Sequence, residues 1–216
     1  IWLAGLALTA WWARRLNDAR AMAFAAWLYA LSPNLIAHGS LVTMEAPVTV
    51  ATAAAFLAFG SFLASGRRRW FWASAALCGL AFACKFTAIV YPPILGLIWW
   101  LHDRPRRTAR KAIAMAGFVA AMLAADFALT GFATLPLSPA TGEHPSAVGR
   151  FGALVARAYE TPIPQDWVGF ATQMRHQASG GPSYLLGERR MWGWRYYYLV
   201  AMAVKVPLAL WLMAGA

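Results

Sequence analysis

Two long apolar stretches decide the fold of this chain. Residues 44–64 read MEAPVTVATAAAFLAFGSFLA, and residues 70–101 read WFWASAALCGLAFACKFTAIVYPPILGLIWWL. The first stretch carries one charged residue, Glu45, and the second carries one, Lys85. About 18 or more consecutive apolar residues indicate a membrane-spanning helix, because lipid offers no water to an exposed backbone. The two stretches therefore predict an all-α, polytopic transmembrane helix bundle.

The composition supports this prediction. Of the 216 residues, 61% are hydrophobic and 12% are charged, whereas a soluble domain has about 25% charged residues. One buried core cannot absorb so many apolar side chains. The composition excludes a water-soluble globular enzyme, and it also excludes a disordered or fibrous chain.

The basic residues stand in short clusters between the apolar stretches. The net charge is +11, which by itself could suggest a nucleic-acid partner. Clusters flanking apolar helices are instead typical of cytoplasmic loops, so we expect no nucleic acid as a partner. The clusters are Arg14, Arg15 and Arg20; Arg67, Arg68 and Arg69; and Arg104, Arg106, Arg107, Arg110 and Lys111.

Apolar stretches and basic clusters together predict about six to seven membrane helices. One helix over 70–101 would be about 48 Å long, so we favour two helices that turn at Lys85, which also keeps the basic clusters on one side. Both ends of the chain lie within apolar runs, which predicts a piece of a longer protein. The predicted helices cover about 1–13, 20–36, 46–64, 70–84, 86–101 and 110–130, with a last helix from about 194 and a short turn and helix start over 37–47.

Residues 131–193 differ in composition and predict a long polar loop on the side opposite the basic clusters. The loop contains six prolines and four of the eight acidic residues. This change in composition predicts three parts of the chain: transmembrane helices over 1–130, an exoplasmic loop over 131–193 and a final transmembrane helix over 194–216. Loops of this length are more often functional than simple connections. The aromatic residues that precede the last helix are typical of a membrane interface.

The sequence contains no internal repeat, phosphate-binding glycine loop or zinc-ligand spacing. Cys78 and Cys84 lie within an apolar run, and we interpret them as small core residues. Function must therefore be argued from the few polar residues that the predicted topology places at the outer face.

Glu45 and Lys85 are the first candidates at that face. A carboxylate can act as general base for an acceptor hydroxyl, and a lysine can hold a phosphate as a point charge. Together they suit transfer of a group from a lipid phosphate. Each also has a simpler interpretation, since Glu45 could only stabilise a helix start and Lys85 could only extend to the headgroups.

The other candidates are His38, Glu188 and Lys205, which we expect to line the same cleft or bind the lipid phosphate. His38 could instead belong to a capped turn, and Glu188 could pair with Arg189 or Arg190. Lys205 lies inside the last predicted helix, where a charge is costly and favours a polar cavity or a lipid phosphate. Asp126 fits a paired structural acid.

Three blocks of the sequence, in order along the chain, resemble a known family. They are SPNLIAHGSLVTME at 32–45, LAFACKFTA at 80–88, and YLLGE at 184–188 followed by GWRYY at 193–197 and VKVP at 204–207. The chain resembles bacterial glycosyltransferases that depend on a phospholipid carrier. These are the protein-mannosyltransferase-like group, family 39, with the GT-C fold.

This resemblance implies an inverting membrane glycosyltransferase. It would take a sugar from a polyprenyl-phosphate or dolichyl-phosphate donor and transfer it to an acceptor protein or glycan outside the cytoplasm. Members of this family resemble one another in using an acidic residue of the first outer loop as the catalytic base. That loop would precede Ile1, so we expect the chain to be inactive alone. The resemblance also implies a multi-pass protein of the inner (plasma) membrane.

The sequence departs from the family pattern at two places. Relatives have Thr-Thr-Asp where this chain has Thr43-Met44-Glu45, which keeps the carboxylate but moves it by one methylene. Glu188-Arg189-Arg190 stands where small polar residues are expected. A divalent cation could bind Glu45 together with the loop acid, but one visible ligand does not predict a metal site.

Two other functions fit the same residues. A transporter or flippase of lipid-linked sugars would use the lysines without bond chemistry, but the inverted repeats typical of transporters are missing from the sequence. An inactive structural subunit of a transferase complex is the third hypothesis, and the change from aspartate to Glu45 leaves room for it.

Overall fold

The computed structural model describes residues 1–41, 44–102, 108–137, 157–205 and 211, with the backbone alone at 108, 177, 179 and 205. Helices dominate the described residues. The helices are α1 (Trp2–Leu16), α2 (Ala19–Ala30), α3 (Pro33–Ser40), α4 (Glu45–Ser65), α5 (Arg68–Cys84), a 3-10 helix (Phe86–Val90), α6 (Tyr91–His102), α7 (Thr108–Leu129), α8 (Gln165–Ser179) and α9 (Tyr197–Lys205).

The described residues form two compact units. The first comprises residues 1–134 and 164–166, and the second comprises 135–163 and 167–216. The first unit contains α1 to α7 and is the helix bundle. The second contains a β-hairpin, the helix α9 and the part of α8 from Trp167 onward.

Helices α4, α5 and α7 form the core of the bundle. Their facing sides carry alanines and phenylalanines, of which Ala55, Ala75, Phe82 and Phe118 are fully buried. Small side chains let helix backbones approach closely in an apolar environment. The hydroxyl of Ser74 reaches across from α5 and donates a 2.8 Å hydrogen bond to the carbonyl of Ala55 in α4.

Local sequence explains where these helices begin and end. The Asp18 carboxylate accepts a 2.9 Å hydrogen bond from the backbone N–H of Ala21, which caps α2. Gly66 follows α4 with φ +65°, a left-handed conformation that glycine adopts without a side-chain penalty. The short turn after Gly66 allows α5 to return antiparallel to α4.

The predicted turn at Lys85 is confirmed. Helix α5 ends at Cys84, Lys85 is extended (φ −158°, ψ 122°), and the 3-10 helix begins at Phe86. Two helices therefore occupy the stretch 70–101, as the distribution of the basic clusters predicted.

The prediction for residues 20–47 is partly wrong. A single helix over about 20–36 was predicted, but α2 ends at Ala30, and Pro33 begins a separate helix that runs to Ser40. Proline is compatible with the first turn of a helix because the N–H that it lacks would have no partner there. The segment after residue 36 is thus helical where a turn was expected.

The segment predicted as a long loop contains regular structure. Strands β1 (Thr134–Pro136) and β2 (Pro162–Pro164) pair with each other, and α8 follows directly. Strands β3 (Ser183–Leu185) and β4 (Glu188–Arg190) form an antiparallel hairpin. Residues 138–156 of this segment lie outside the described residues. The all-α description therefore holds for the bundle and fails for this segment.

Two described helices are long and apolar enough to cross a membrane. They cover Glu45–Ser65 and Ala109–Leu129, and the shorter stretch Phe86–His102 is also apolar. A helix of 21 residues is about 32 Å long, which matches a hydrocarbon core of about 30 Å. The number of six to seven membrane helices stays a prediction.

Candidate functional site

Glu45 and Lys85 form an ion pair at one end of the bundle. The Nζ atom of Lys85 donates to Oε1 of Glu45 over 2.8 Å. The side chain of Lys85 is 42% exposed and that of Glu45 is 49% exposed. An ion pair this exposed contributes only about 0–1 kcal/mol to folding. The fold therefore does not depend on the pair, and both groups are accessible to a ligand.

The two residues come together because each stands at a helix end. Glu45 is the first residue of α4, and Lys85 separates α5 from the 3-10 helix. Since α4 and α5 run antiparallel, the start of one lies beside the end of the other. The backbone of Lys85 is held on both sides, because its N–H donates to the carbonyl of Ala81 and its carbonyl accepts from the N–H of Ala88.

A cavity of about 320 Å³ adjoins Glu45. Four helices contribute to it through residues at their ends. Its lining residues are Trp2, Tyr29, Leu35, His38, Glu45, Ala46 and Thr49. The cavity therefore combines aromatic rings with a carboxylate and an imidazole, a mixture that suits a partly polar ligand.

Trp2 and Tyr29 give the cavity an aromatic wall. Their rings meet edge to face with centroids 5.6 Å apart. The indole N–H of Trp2 is buried and finds no hydrogen-bond partner among the described residues, which is costly unless a ligand or water accepts from it. Gly5 lies against the Tyr29 hydroxyl and Gly39 against the Trp2 ring, so neither position has room for a side chain.

The structure brings three of the predicted site residues together. Glu45 and Lys85 are paired, and His38 lines the same cavity as Glu45. His38 is exposed near the end of α3. Trp2 and Tyr29 were not predicted as site residues, although each lies at the helix end away from the arginines, where a polar-tipped aromatic ring is common.

Glu188 and Lys205 lie in the second unit. Glu188 begins β4, and one of its carboxylate oxygens accepts from the guanidinium of Arg190 over 3.0 Å. This pairing is the simpler of the two interpretations given by the sequence. Lys205 is the last residue of α9, and its side chain lies outside the described part of the structure.

Two further carboxyl groups are buried in the first unit. Asp126 in α7 is 1% exposed and Asp166 in the first turn of α8 is 6% exposed. Each has one oxygen without a hydrogen-bond partner, and the two carboxyls interact electrostatically. Asp166 was not predicted as a buried acid. An acidic residue in the first turn of a helix usually has no role beyond a favourable interaction with the helix dipole.

Burial raises the pKa of Asp166 above its usual range. A hydrogen bond with the Thr130 hydroxyl opposes that rise. The same hydroxyl lies 3.1 Å from the carbonyl oxygen of Asp126 and 3.2 Å from that of Phe127, both potential acceptors. Charge on the Asp166 carboxyl is therefore poorly compensated in the folded chain.

The described residues around Glu45 do not make a metal site. In the part of the chain that the structure describes, no three His, Cys, Asp or Glu side chains come together. Glu45 is the one acidic side chain in the lining of its cavity, and its carboxylate already accepts from Lys85. The described residues thus do not fit the divalent cation considered in the sequence analysis.

One family of known proteins matches most of the bundle. The family described as "Dolichyl-phosphate-mannose-protein mannosyltransferase" matches residues 3–128. This range begins one residue after Trp2 and contains His38, Glu45 and Lys85. It covers more than half of the chain. No curated protein and no solved structure is similar enough to the chain to count as a match. The chain therefore belongs to the dolichyl-phosphate-mannose-protein mannosyltransferase family.

Proposed function

We propose that the protein is a membrane glycosyltransferase that moves a sugar from a polyprenyl-phosphate or dolichyl-phosphate donor to an acceptor outside the cytoplasm. The observation that carries the proposal is the Glu45–Lys85 pair at 2.8 Å beside an aromatic cavity. The family supports a lipid-linked donor. The pair supplies one group for a phosphate and one for a hydroxyl.

The proposed membrane arrangement places six to seven helices across the inner (plasma) membrane. Arg14 and Arg15 lie in the last turn of α1, and Arg67 to Arg69 lie where α4 meets α5. Glu45 and Lys85 lie at the other ends of α4 and α5. Because basic loops stay in the cytoplasm, the Glu45 end faces the exoplasmic side.

Lys85 is the proposed ligand of the donor phosphate. Its ammonium group is half-exposed, and backbone hydrogen bonds hold the residue itself on both sides. The phosphodiester of the donor carries one negative charge, as the carboxylate of Glu45 does, and its oxygens compete for the same N–H donors. Binding of the donor thereby releases Glu45 from the ion pair.

Glu45 is the proposed catalytic carboxylate. The acceptor hydroxyl oxygen attacks the anomeric carbon of the donor, a new C–O bond forms, and the bond from that carbon to the phosphate oxygen breaks. The lipid phosphate leaves with the bonding electrons, and the hydroxyl proton passes to the Glu45 carboxylate. General-base assistance of this kind accelerates a reaction by about 10²- to 10⁴-fold.

The aromatic cavity is the proposed binding place for the sugar ring or the acceptor. The indole N–H of Trp2 offers an unused donor to a hydroxyl, and the ring of Tyr29 supplies an apolar surface. His38 would bind a second hydroxyl at the cavity wall. Glu188 and Lys205 are proposed as further substrate-binding residues, as the resemblance of their sequence blocks implies.

The test compares variants of the full-length protein in membranes supplied with a polyprenyl-phosphate sugar. Glu45→Gln keeps the size of the side chain and removes the base, so we expect transfer to fall at least about 100-fold. Lys85→Ala should raise the KM for the donor. The matched control is Glu160→Gln, which removes a charge from an exposed residue of the second unit and should leave transfer unchanged.

The double variant E45K/K85E separates chemistry from structure. It restores an ion pair with reversed ends, so a purely structural pair would keep both stability and transfer. If Glu45 and Lys85 have the proposed chemical roles, we expect the double variant to have normal stability and no transfer activity. Full transfer by this double variant, or movement of lipid-linked sugar across the membrane without any glycosylated product, would contradict the proposal.

A further inference from the structure

A second cavity lies at the opposite end of the bundle, away from Glu45. It has a volume of about 600 Å³, is open to the surface, and is lined by residues of α1, α4 and the start of α5. Three guanidinium groups line it, those of Arg15, Arg67 and Arg69. Among the described residues that line it, none is acidic. The cavity is therefore strongly cationic.

Aromatic rings fix two of these arginines at the cavity. The guanidinium of Arg15 lies over the ring of Trp11 at 4.9 Å from its centroid, and that of Arg69 lies 5.3 Å from the centroid of Trp70. Arginine stacks on aromatic faces while its N–H fork stays free to bind. The two guanidiniums are thus held in place without using their hydrogen-bond donors on a carboxylate.

The turn between α4 and α5 places the third arginine. Gly66 adopts φ +65°, and the backbone N–H of Arg67 donates to the Ser65 hydroxyl over 3.4 Å. Ser65 in turn donates to the carbonyl of Ser61 over 2.6 Å. Arg67 therefore leaves α4 at a defined angle and reaches the same cavity as Arg15 and Arg69.

Most of the remaining lining residues are apolar. Phe56, Leu57 and Ala64 of α4 and Leu16 of α1 form the wall that extends from the arginines along the helices. Helix α4 is one of the two helices long enough to cross a membrane. A ligand that fits both the arginines and the apolar wall has a phosphate at one end and a hydrocarbon chain at the other.

We propose that this cavity binds the phosphate-bearing headgroup of an anionic membrane lipid, with Arg15, Arg67 and Arg69 around the phosphate. Basic pockets between membrane helices on the cytoplasmic side are suited to such headgroups, and guanidinium forks match phosphate oxygens in pairs. The site is distinct from the Glu45–Lys85 site, and it holds lipid without a chemical step. It would anchor the bundle in the anionic leaflet.

The test measures bound lipid by native mass spectrometry of the full chain released from nanodiscs. The nanodiscs contain equal amounts of phosphatidylglycerol and phosphatidylcholine. We expect retained phosphatidylglycerol on the wild type and a roughly 20-fold weaker retention in R15Q/R69Q, equivalent to about 1.8 kcal/mol. The matched control R14Q/R20Q removes two charges from the same end of the helices, at residues that do not line the cavity.

Each alternative outcome would overturn the proposal. Equal loss in R15Q/R69Q and R14Q/R20Q would mean that diffuse charge attracts the lipid. Unchanged retention in R15Q/R69Q, at unchanged helical content by circular dichroism, would exclude the cavity. Displacement of the lipid by millimolar inorganic phosphate would make the cavity a site for a small phosphate anion, since that probe has no hydrocarbon chain.

Discussion

At the scale of single residues, Asp166 carries an unfavourable charge. The carboxyl is 6% exposed, one of its oxygens has no partner, and burial raises its pKa. A group whose pKa is raised by folding stabilises the fold below its unfolded pKa and loses that contribution as the pH rises through the folded value. At neutral pH the ionised carboxyl therefore opposes folding.

We expect Asp166→Asn to stabilise the protein at pH 7 and to have little effect near pH 3.5. Asparagine can still accept from the Thr130 hydroxyl, and it removes the buried charge beside Asp126. The difference between the melting temperatures of the variant and the wild type should increase with pH. Glu160→Gln is the control for removing a charge, and a stabilisation by Asp166→Asn that is constant across pH would contradict the assignment.

The ion pair shows what the sequence can and cannot predict at this scale. Glu45 and Lys85 were found as isolated charges in apolar stretches, because a charge there has few structural reasons to exist. Trp2 and Tyr29 were not found, since an aromatic residue in an apolar helix is unremarkable by pattern. Their role depends on which helix ends meet, and that is a property of the packed bundle.

At the scale of the helices, Gly79 sets the distance between α5 and α7. A Cβ atom at this position would lie 2.5 Å from the carbonyl oxygen of Met122 and 2.8 Å from the Cβ atom of Ala125. Backbone atoms cannot move aside as the end of a flexible side chain can. The glycine thus allows the close approach of the two helices.

Gly79→Ala should destabilise the bundle by about 1–3 kcal/mol, the usual cost of overpacking a tight contact. Gly60→Ala in α4 is the matched control, because a Cβ atom there would meet no neighbouring helix within 4 Å in the described part of the structure. Alanine favours a helix over glycine by up to about 1 kcal/mol, so the control should be neutral or stabilising. Equal melting temperatures for the two variants would refute close packing at Gly79.

Local strain marks the turn of the hairpin in the second unit. Leu186 and Gly187 connect β3 to β4 with φ values of 49° and 92°. A two-residue turn with positive φ at both positions favours Asn-Gly, and a left-handed conformation costs other residues about 1–2 kcal/mol. Leu186 is 78% exposed, so burial of its side chain does not offset this cost.

We expect Leu186→Asn to stabilise the hairpin by about 1 kcal/mol. The measurement is hydrogen exchange at the backbone amides of β3 and β4, which should slow by several-fold relative to the wild type. Leu185→Asn is the comparison, since Leu185 is half-buried in β3 and its loss should speed exchange. Faster exchange in Leu186→Asn would show that the leucine side chain itself holds the turn.

The ends of a helix were predictable where the local sequence allows only one interpretation. The turn at Lys85 and the bounds of α4 followed from charges and apolar runs. The helix from Pro33 to Ser40 was missed because proline serves equally as a helix breaker and as a first helical residue. The hairpin of β3 and β4 was not predicted because each strand has only three residues, too few to show a periodic pattern.

At the scale of the whole molecule, the two ends of the bundle differ in charge, and the proposed membrane orientation rests on that difference. The last turn of α1 and the α4–α5 turn carry arginines, whereas the ion pair and His38 lie at the opposite ends of those helices. Helix α4 joins the two ends, and its 21 residues span about 32 Å. Both the proposed transfer site and the proposed lipid site depend on this polarity.

Labelling of single cysteines tests the orientation directly. In a C78A/C84A background, Ser40→Cys lies on the Glu45 side and Ser65→Cys on the arginine side, and both positions are exposed. In intact cells a membrane-impermeant maleimide should label Ser40→Cys, and it should label Ser65→Cys only after the membrane is permeabilised. Labelling of both positions in intact cells would contradict a membrane-spanning α4. The reverse pattern would place Glu45 and Lys85 in the cytoplasm, where an acceptor outside the cell could not reach them.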